Sequence, residues 1–428
     1  MMSNTSVSRR TVVGAAMAAP FAFATVGAAQ SVAAMARVMR CADFLTSIGV
    51  NTHLRYANSQ YNDVSAVVHA MKYCGFRHAR DTAISASAPN SAHYGVLAAS
   101  GVKFCMFWGT GRGMADAIQQ ISALEAAHPG AVDSLEGPNE IQPRFAYEGL
   151  LGVAAAQKFM SDMRSLAAGD PRLRDKPIVS FTSFAPAESV ADFANHHPYP
   201  KAGVQPGALI RARRDQWVGP GGPMSGKPMV FTEFGYHTFV GNPARPGHWQ
   251  GVDEEAQAIL LINGWLDAAA NGVARTYIYQ LLDGAADREG APTQENHFGL
   301  FRYDGGPKPA ATAFKNLLTL AADWSLRAHD FPLAPLSVRV SADRPVNVLP
   351  LRDAAGRTLL LIWNEAPLWN AEASARRETE PFNVSIALPR EAVMAVWDIL
   401  DFKQLTDDFR GQSLSVSMTA RPLAVRLV

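Results

Sequence analysis

Between about residue 45 and residue 325 the chain alternates short apolar runs with longer stretches in which apolar residues recur every three or four positions. That texture predicts repeated strand–helix units. Eight runs read as strands: Ile48 to His53, Phe76 to Asp81, Val102 to Trp108, Val132 to Asn139, Ile178 to Phe184, Asp192 to His197, Met229 to Phe234 and Ala274 to Leu281. Helical spacing fills the gaps, as at Val64 to Cys74, Gly113 to Ala127, Leu151 to Ala168 and Glu254 to Asn271. Strands joined through helices run parallel, and eight such units predict a closed (β/α)8 TIM barrel, an α/β fold, rather than an open sheet. After about Leu326 the helical spacing stops. Alternating segments follow at Ser337 to Val340, Val346 to Leu351, Thr358 to Trp363, Phe382 to Leu388, Val393 to Ile399 and Leu414 to Met418, and they predict a C-terminal antiparallel β-sandwich. The polar stretch Asn364 to Glu380 reads as an exposed loop. The expected division is a barrel over 35–325 and a sandwich over 326–428, with 1–34 outside the fold.

The reason for setting 1–34 aside is Ser8-Arg9-Arg10-Thr11-Val12-Val13, followed by a mildly apolar Ala/Gly/Val-rich run to about Ala29 and small residues suited to a signal peptidase. This is the pattern of a twin-arginine export signal. The run is shorter than the roughly 20 residues that span a bilayer, and Gly14, Pro20 and Gly27 weaken it as a permanent helix. The expectation is a periplasmic or secreted protein with no stable membrane insertion.

In an eight-stranded α/β barrel the chemistry gathers at the C-terminal ends of the strands. Those ends are polar and aromatic here: His53, Arg80 and Asp81, Trp108, Asn139 and Glu140, His197 and Tyr199, Glu233, then Tyr279 and Gln280. Any one of them can be a strand that stops where polarity begins; together they would ring one mouth. Retaining hydrolysis of a glycosidic bond needs one carboxyl group to protonate the leaving oxygen and another, about 5 to 5.5 Å away, to attack the anomeric carbon. Glu140 closes Leu135-Glu136-Gly137-Pro138-Asn139-Glu140 after strand four, and Glu233 lies in Met229-Val230-Phe231-Thr232-Glu233-Phe234-Gly235 at strand seven. Across a barrel mouth, two such side chains can bracket a sugar.

Asn-Glu after strand four and Thr-Glu-Phe-Gly at strand seven resemble the signatures of glycoside hydrolase clan A, particularly its cellulase-like and family 39-like members. Further matching positions are Arg80 at strand two, His197-Pro198-Tyr199 after strand six, and the closing segment Phe298-Gly299-Leu300-Phe301-Arg302-Tyr303-Asp304 with Lys308-Pro309-Ala310. The resemblance implies a retaining glycosidase with Glu140 as general acid/base and Glu233 as nucleophile. It also implies that Arg80 and Tyr199 contact Glu233 and that Asn139 binds the sugar 2-hydroxyl. Glu140 would then need a raised pKa to keep its proton. His53, Trp108, His197 and Tyr279 are candidates for sugar contact, since a sugar offers an apolar face to rings and a hydroxyl rim to polar groups. The sequence departs from many clan members in carrying Tyr279-Gln280 where a tryptophan platform is usual; either Trp108 or Trp249 supplies one, or the sugar at the cleavage point differs from glucose. Asp283, Asp287 and Glu289 read as a solvated acidic loop.

Composition narrows the partners. Lys plus Arg number 39 against 38 Asp plus Glu, so no basic surplus favours nucleic acid, and a carbohydrate substrate fits the balance. Three scattered cysteines, Cys41, Cys74 and Cys105, do not make a disulfide framework and read as buried hydrophobes. His196-His197 lacks the His-Glu-x-x-His or spaced Cys/His context of a metal site, and no Gly-rich phosphate loop follows a strand, so neither metal nor nucleotide cofactor is expected. Two rival functions remain open at this level: a transglycosylase, which shares the covalent step, and a non-catalytic glycan-binding barrel, which would dispense with one carboxylate. For the sandwich, the absence of an aromatic row favours a buttress over a carbohydrate-binding module.

Overall fold

The computed structural model describes residues 31–83, 85, 87–108, 113–186, 190–241, 249–287, 293–323 and 327–428. The paired arginines and Glu289 lie outside the described residues. Eight parallel strands form the first sheet: β1 (Ile48–Asn51), β2 (His78–Thr82), β3 (Lys103–Trp108), β4 (Val132–Pro138), β5 (Ile178–Val179), β6 (Ala194–Asn195), β7 (Met229–Phe234) and β8 (Val273–Ile278). Their order is β5-β4-β3-β2-β1-β8-β7-β6, and a parallel bridge between Val179 and Phe193 joins the two ends. The sheet is thus a nearly closed barrel. Strands buried on both faces need continuous apolar runs, and β1 and β7 are buried at every position.

Helices α1 (Cys41–Thr46), α2 (Val64–Cys74), α3 (Ser91–Ala99), α4 (Met114–Ala127), α5 (Gly152–Gly169), α6 (Gly207–Val218), α7 (Glu254–Ala270) and α8 (Pro309–Leu320) accompany the strands. Local chemistry sets the ends of α2: the Asp63 carboxylate accepts from the amides of Ser65 and Ala66, and Gly75 closes the helix at φ 86°, a left-handed conformation that glycine adopts freely. Helix α7 departs from its amphipathic reading, since Ala256 to Ala269 are all buried. The cause is the second domain, which covers the face a lone barrel would leave wet.

That domain is one antiparallel sheet built from β9 (Arg339–Ala342), β10 (Asn347–Arg352), β11 (Thr358–Trp363), β12 (Phe382–Asp398), β13 (Phe409–Met418) and β14 (Leu423–Leu427). The two segments expected at 382–388 and 393–399 are a single strand whose register shifts between Ala387 and Ala392. Residues before and after the shift, Val384 and Ile386 with Met394 and Val396, meet in one apolar cluster, so the strand serves both layers of the sandwich. Ser31–Val32 pairs with β9, and Ala34–Met35 pairs with β10, so the sheet recruits residues assigned above to the leader. Leu349, Leu361 and Trp363 join the barrel's own core cluster. Trp363 Nε1 donates to Asp267 of α7 (2.9 Å), and Asn316 of α8 donates to the carbonyls of Ile399 and Leu400 (both 2.9 Å). The stretch 364–380 is not simply exposed: Leu368 and Trp369 are buried, anchoring its start against the barrel while the residues beyond face solvent. Among the described residues no helix is long and apolar enough to cross a membrane.

Candidate active site

Arg80 is the centre of the mouth. Period-two geometry turns it inward from β2, onto the Phe107 ring of β3, with Cζ 4.0 Å from the centroid. A guanidinium has five N–H donors in a planar fork. Nε and Nη2 grip Glu136 of β4 (2.7 and 2.8 Å), Nη1 reaches Glu233 (2.6 Å) and Asn51 (3.0 Å), and Nη2 also reaches Asn139 (2.7 Å). Every donor is used. The side chain is 1% exposed and Glu136 is fully buried; the paired carboxylates push the arginine's pKa up against the desolvation that would lower it. Tyr199 donates to the other oxygen of Glu233 (2.6 Å), and that contact adds to the burial that raises the tyrosine's own pKa.

Glu233 follows Thr232, yet both address the mouth. Normal alternation forbids this. Between Phe231 and Phe234 the strand carries one more residue than β8 opposite, a bulge of the kind that re-aims side chains. Thr232 Oγ1 meets Glu136 (3.0 Å), Asn195 Oδ1 (2.9 Å) and His197 Nε2 (2.9 Å). Asn195 is oriented by donating its amide N–H to Ser180 O (3.0 Å) and accepting at its oxygen from Thr232 N–H (3.2 Å), taking over the ladder between β5 and β7. This accounts for β5 and β6 being two residues each where longer strands were expected.

A hydroxyl has one proton. Glu136 and Asn195 Oδ1 only accept, so Thr232 donates to one of them and accepts from His197 Nε2–H. His197 Nδ1 lies 2.9 Å from Glu140 Oε1 and 3.6 Å from Glu233 Oε2. Two acceptors do not meet at 2.9 Å without a proton, so the His197–Glu140 contact holds one. Chiefly that hydrogen bond, reinforced by the charge of His197, holds the Glu140 pKa below its ordinary value, against the effect of burial. The expectation of a raised pKa is therefore not met in the free protein, and the Arg80 charge adds to the lowering. Glu140 has φ 40°, a sparsely populated conformation for a residue with a side chain. Its amide donates to Thr182 Oγ1 (3.0 Å), and its side chain is nearly half exposed.

One ligand-type atom each of Glu140, His197 and Glu233 lies within 4.8 Å of the other two. Two ligands of a tetrahedral ion with 2.0 Å bonds stand roughly 3.3 Å apart, so the 2.9 Å contact is spaced as a hydrogen bond rather than as shared ligation.

No family model matches the chain, and no curated protein matches it in sequence. In fold it is similar to a GH39 enzyme from Xanthomonas axonopodis pv. citri, over 92% of this chain and 96% of that one, at 14% identity and a TM-score of 0.53. This is a glycoside hydrolase clan A-like fold. Other solved structures are similar at lower TM-scores. A GH2 β-galacturonidase from Eisenbergiella tayi matches 66% of this chain at 16% identity and TM-score 0.48, and the chain spans about half that enzyme's length, 51%. A Rhizomucor miehei β-1,3-glucanosyltransferase matches 62% of this chain and 96% of its own, at 17% identity and TM-score 0.47.

Around this centre the remaining expected residues divide. Arg80, Asn139, His197 and Tyr199 converge with Glu140 and Glu233. With its oxygen on Arg80, Asn139 turns its NH2 end the other way. His53 stacks on Tyr56 (4.9 Å) and meets Tyr279 edge-on (5.5 Å); burial lowers its pKa to about 4. Its position is pinned by Asp81, which accepts from Thr52 (2.7 Å) and from the Leu54 amide (3.0 Å), on either side of it. Trp108 is a correction. It packs edge-on against Phe159 and is 1% exposed, so it offers no platform. Trp249, half-buried beside Tyr199 (6.1 Å) and His237 (5.4 Å), is the open indole near the mouth. His196 turns away against Trp217. Asp283 is another correction to the acidic-loop reading, because it is buried in an ion pair with Lys308 (2.9 Å). Glu136 was missed as a functional residue. Its signal was a carboxylate inside an otherwise buried strand, which needs a cation partner.

Proposed function

We propose that the protein is a retaining glycoside hydrolase acting on an extracytoplasmic oligo- or polysaccharide. The observation that carries the reading is Glu233, held between Arg80 and Tyr199, with a carboxylate oxygen of Glu140 within 4.8 Å of one of its own. That spacing supports the double displacement, for which about 5 to 5.5 Å between carboxyl groups is typical, over inversion, for which about 6.5 to 9.5 Å is typical. Glu233 attacks the anomeric carbon as the bond to the leaving oxygen breaks, and Glu140 delivers a proton to that oxygen. Water then adds to the anomeric carbon, Glu140 takes its proton, and the Glu233 ester breaks. The proton on the His197–Glu140 contact is the one at hand for the first step, and His197 stays tied to Thr232 throughout.

The test separates the two glutamates. Glu140→Ala should form a glycosyl ester on Glu233 from an aryl glycoside whose leaving group needs no protonation, then stall. Azide should restart turnover and yield a glycosyl azide of retained configuration, while Glu233→Gln forms no ester. An ester on any other residue, or a product of inverted configuration, refutes the assignment.

A further inference from the structure

Five rings run across the mouth in sequence. Tyr56 stacks on His53, His53 meets Tyr279, Tyr279 meets Tyr199 (6.2 Å), and Tyr199 meets Trp249. With four centroid steps of 4.9 to 6.2 Å the row is longer than one sugar ring. Tyr199 binds the attacking carboxylate, so cleavage falls inside the row, not at its end. Each end carries a cation: Arg55 Cζ stands 5.3 Å from the Tyr56 centroid, and Lys201 Nζ stands 5.1 Å from Trp249.

Cation–ring contacts are common on protein surfaces. What sets these two apart is that neither forms an ion pair among the described residues, whereas Arg80, Lys308 and Arg302 nearby all do. Arg55 Nε is buried without a hydrogen-bond partner, and so is Nε2 of His53, a side chain only 9% exposed. A buried donor without a partner costs free energy that a ligand recovers. Glu295, whose charge bears on Tyr279, is engaged with Gln294 Nε2 (3.4 Å).

We infer that the substrate is an acidic oligosaccharide, with uronic acid carboxylates meeting Arg55 on one side of the cleaved bond and Lys201 on the other. The inference rests on the hydrolase reading above and names its substrate class. The rings take the apolar sugar faces. Arg55 supplies the planar fork that fits a carboxylate, and Lys201 supplies a mobile point charge. His53, neutral at pH 7 because burial lowers its pKa to about 4, adds a hydroxyl contact between them.

The experiment titrates full-length Glu233→Gln protein by calorimetry with oligoglucuronate, oligogalacturonate and oligomannuronate, each beside its carboxyl-reduced neutral counterpart. At least one uronate should bind about tenfold or more tighter than its reduced form, one charged hydrogen bond's worth, and the margin should shrink as salt is raised. Lys201→Ala lies on the surface and should narrow the margin about threefold, with Lys201→Arg restoring it; Arg55→Ala should narrow it further. The proposal is overturned if no uronate outbinds its reduced form, or if the preference survives both alanine variants unchanged. Failure of the chemistry looks different: a uronate preference without azide rescue in Glu140→Ala keeps the ligand and removes the hydrolase, and rescue without preference does the reverse.

Discussion

Replacing Arg80 with methionine tests whether one cation organises the whole centre. The guanidinium neutralises Glu136, which is fully buried, and Glu233, whose side chain is 10% exposed. Without it, buried Glu136 has no cation in contact, and Glu233 keeps only His197 Nδ1 at 3.6 Å. Breaking a buried pair by removing one partner costs about 3 to 5 kcal/mol. Arg80 bridges two partners, so the upper part of that range applies unless the carboxyl groups take up protons. On a domain of this size the loss corresponds to a fall in melting temperature of roughly 8 to 10 °C, at about 2 °C per kcal/mol. Turnover should fall as well, because Glu233 loses one of its two 2.6 Å hydrogen bonds and with it one of the contacts that orient it. The informative variant is Arg80→Met with Glu136→Gln, which removes one stranded charge while keeping an amide oxygen for Thr232 and an amide for other contacts. It should recover about 2 kcal/mol of the stability lost, though not the activity, and the double-mutant cycle gives the coupling directly. Melting curves and kcat/KM on one activated aryl glycoside suffice. A coupling within about 0.5 kcal/mol of zero, or an Arg80→Met protein as stable as the parent, would show that the centre is not built on this ion triad.

Tyr199→Phe removes one hydrogen bond to a charged acceptor, about 1.5 to 3 kcal/mol; formation of the glycosyl ester should slow roughly tenfold to a hundredfold, and a change within twofold would contradict the contact. Burial holds His53 at about 4 and His78 and His196 at about 3, while Asp81 is raised to about 6. Between pH 6 and 4 the unfolded chain therefore gains three imidazole protons that the folded one refuses, offset by the one that folded Asp81 retains. Stability, full above pH 6.5, should fall by about 3 kcal/mol per pH unit in that window, and urea midpoints that stay flat from pH 6 to 4 would refute it. Export is proposed to depend on the paired arginines: Arg9→Lys with Arg10→Lys should leave folded, active protein in the cytoplasm, and fractionation showing full export would remove the twin-arginine reading.

Much of this architecture is local and was legible along the chain. Helix α2 begins and ends where Asp63 and Gly75 require, and β11 matches its apolar run, because capping and strand alternation are properties of neighbouring residues. Glu140 and Glu233 stood out by lying at strand ends. What the chain could not disclose are relations between residues far apart in it. Arg80 reaches 56 positions to Glu136 and 153 to Glu233, and only barrel closure creates those distances. Trp108 and Trp249 look alike in sequence, yet packing against Phe159 buries one and leaves the other partly open. Helix α7 has a polar face by composition that the sandwich nonetheless covers. The lowered pKa of Glu140 likewise follows from where His197 and Arg80 come to rest, since the energy of a charge depends on its distance to other charges and to water. Sequence determined which segments are strands and helices and which side chains can do chemistry; tertiary structure decided which of those side chains share a proton, because proton sharing needs contact at hydrogen-bond distance and contact is made only when the barrel closes.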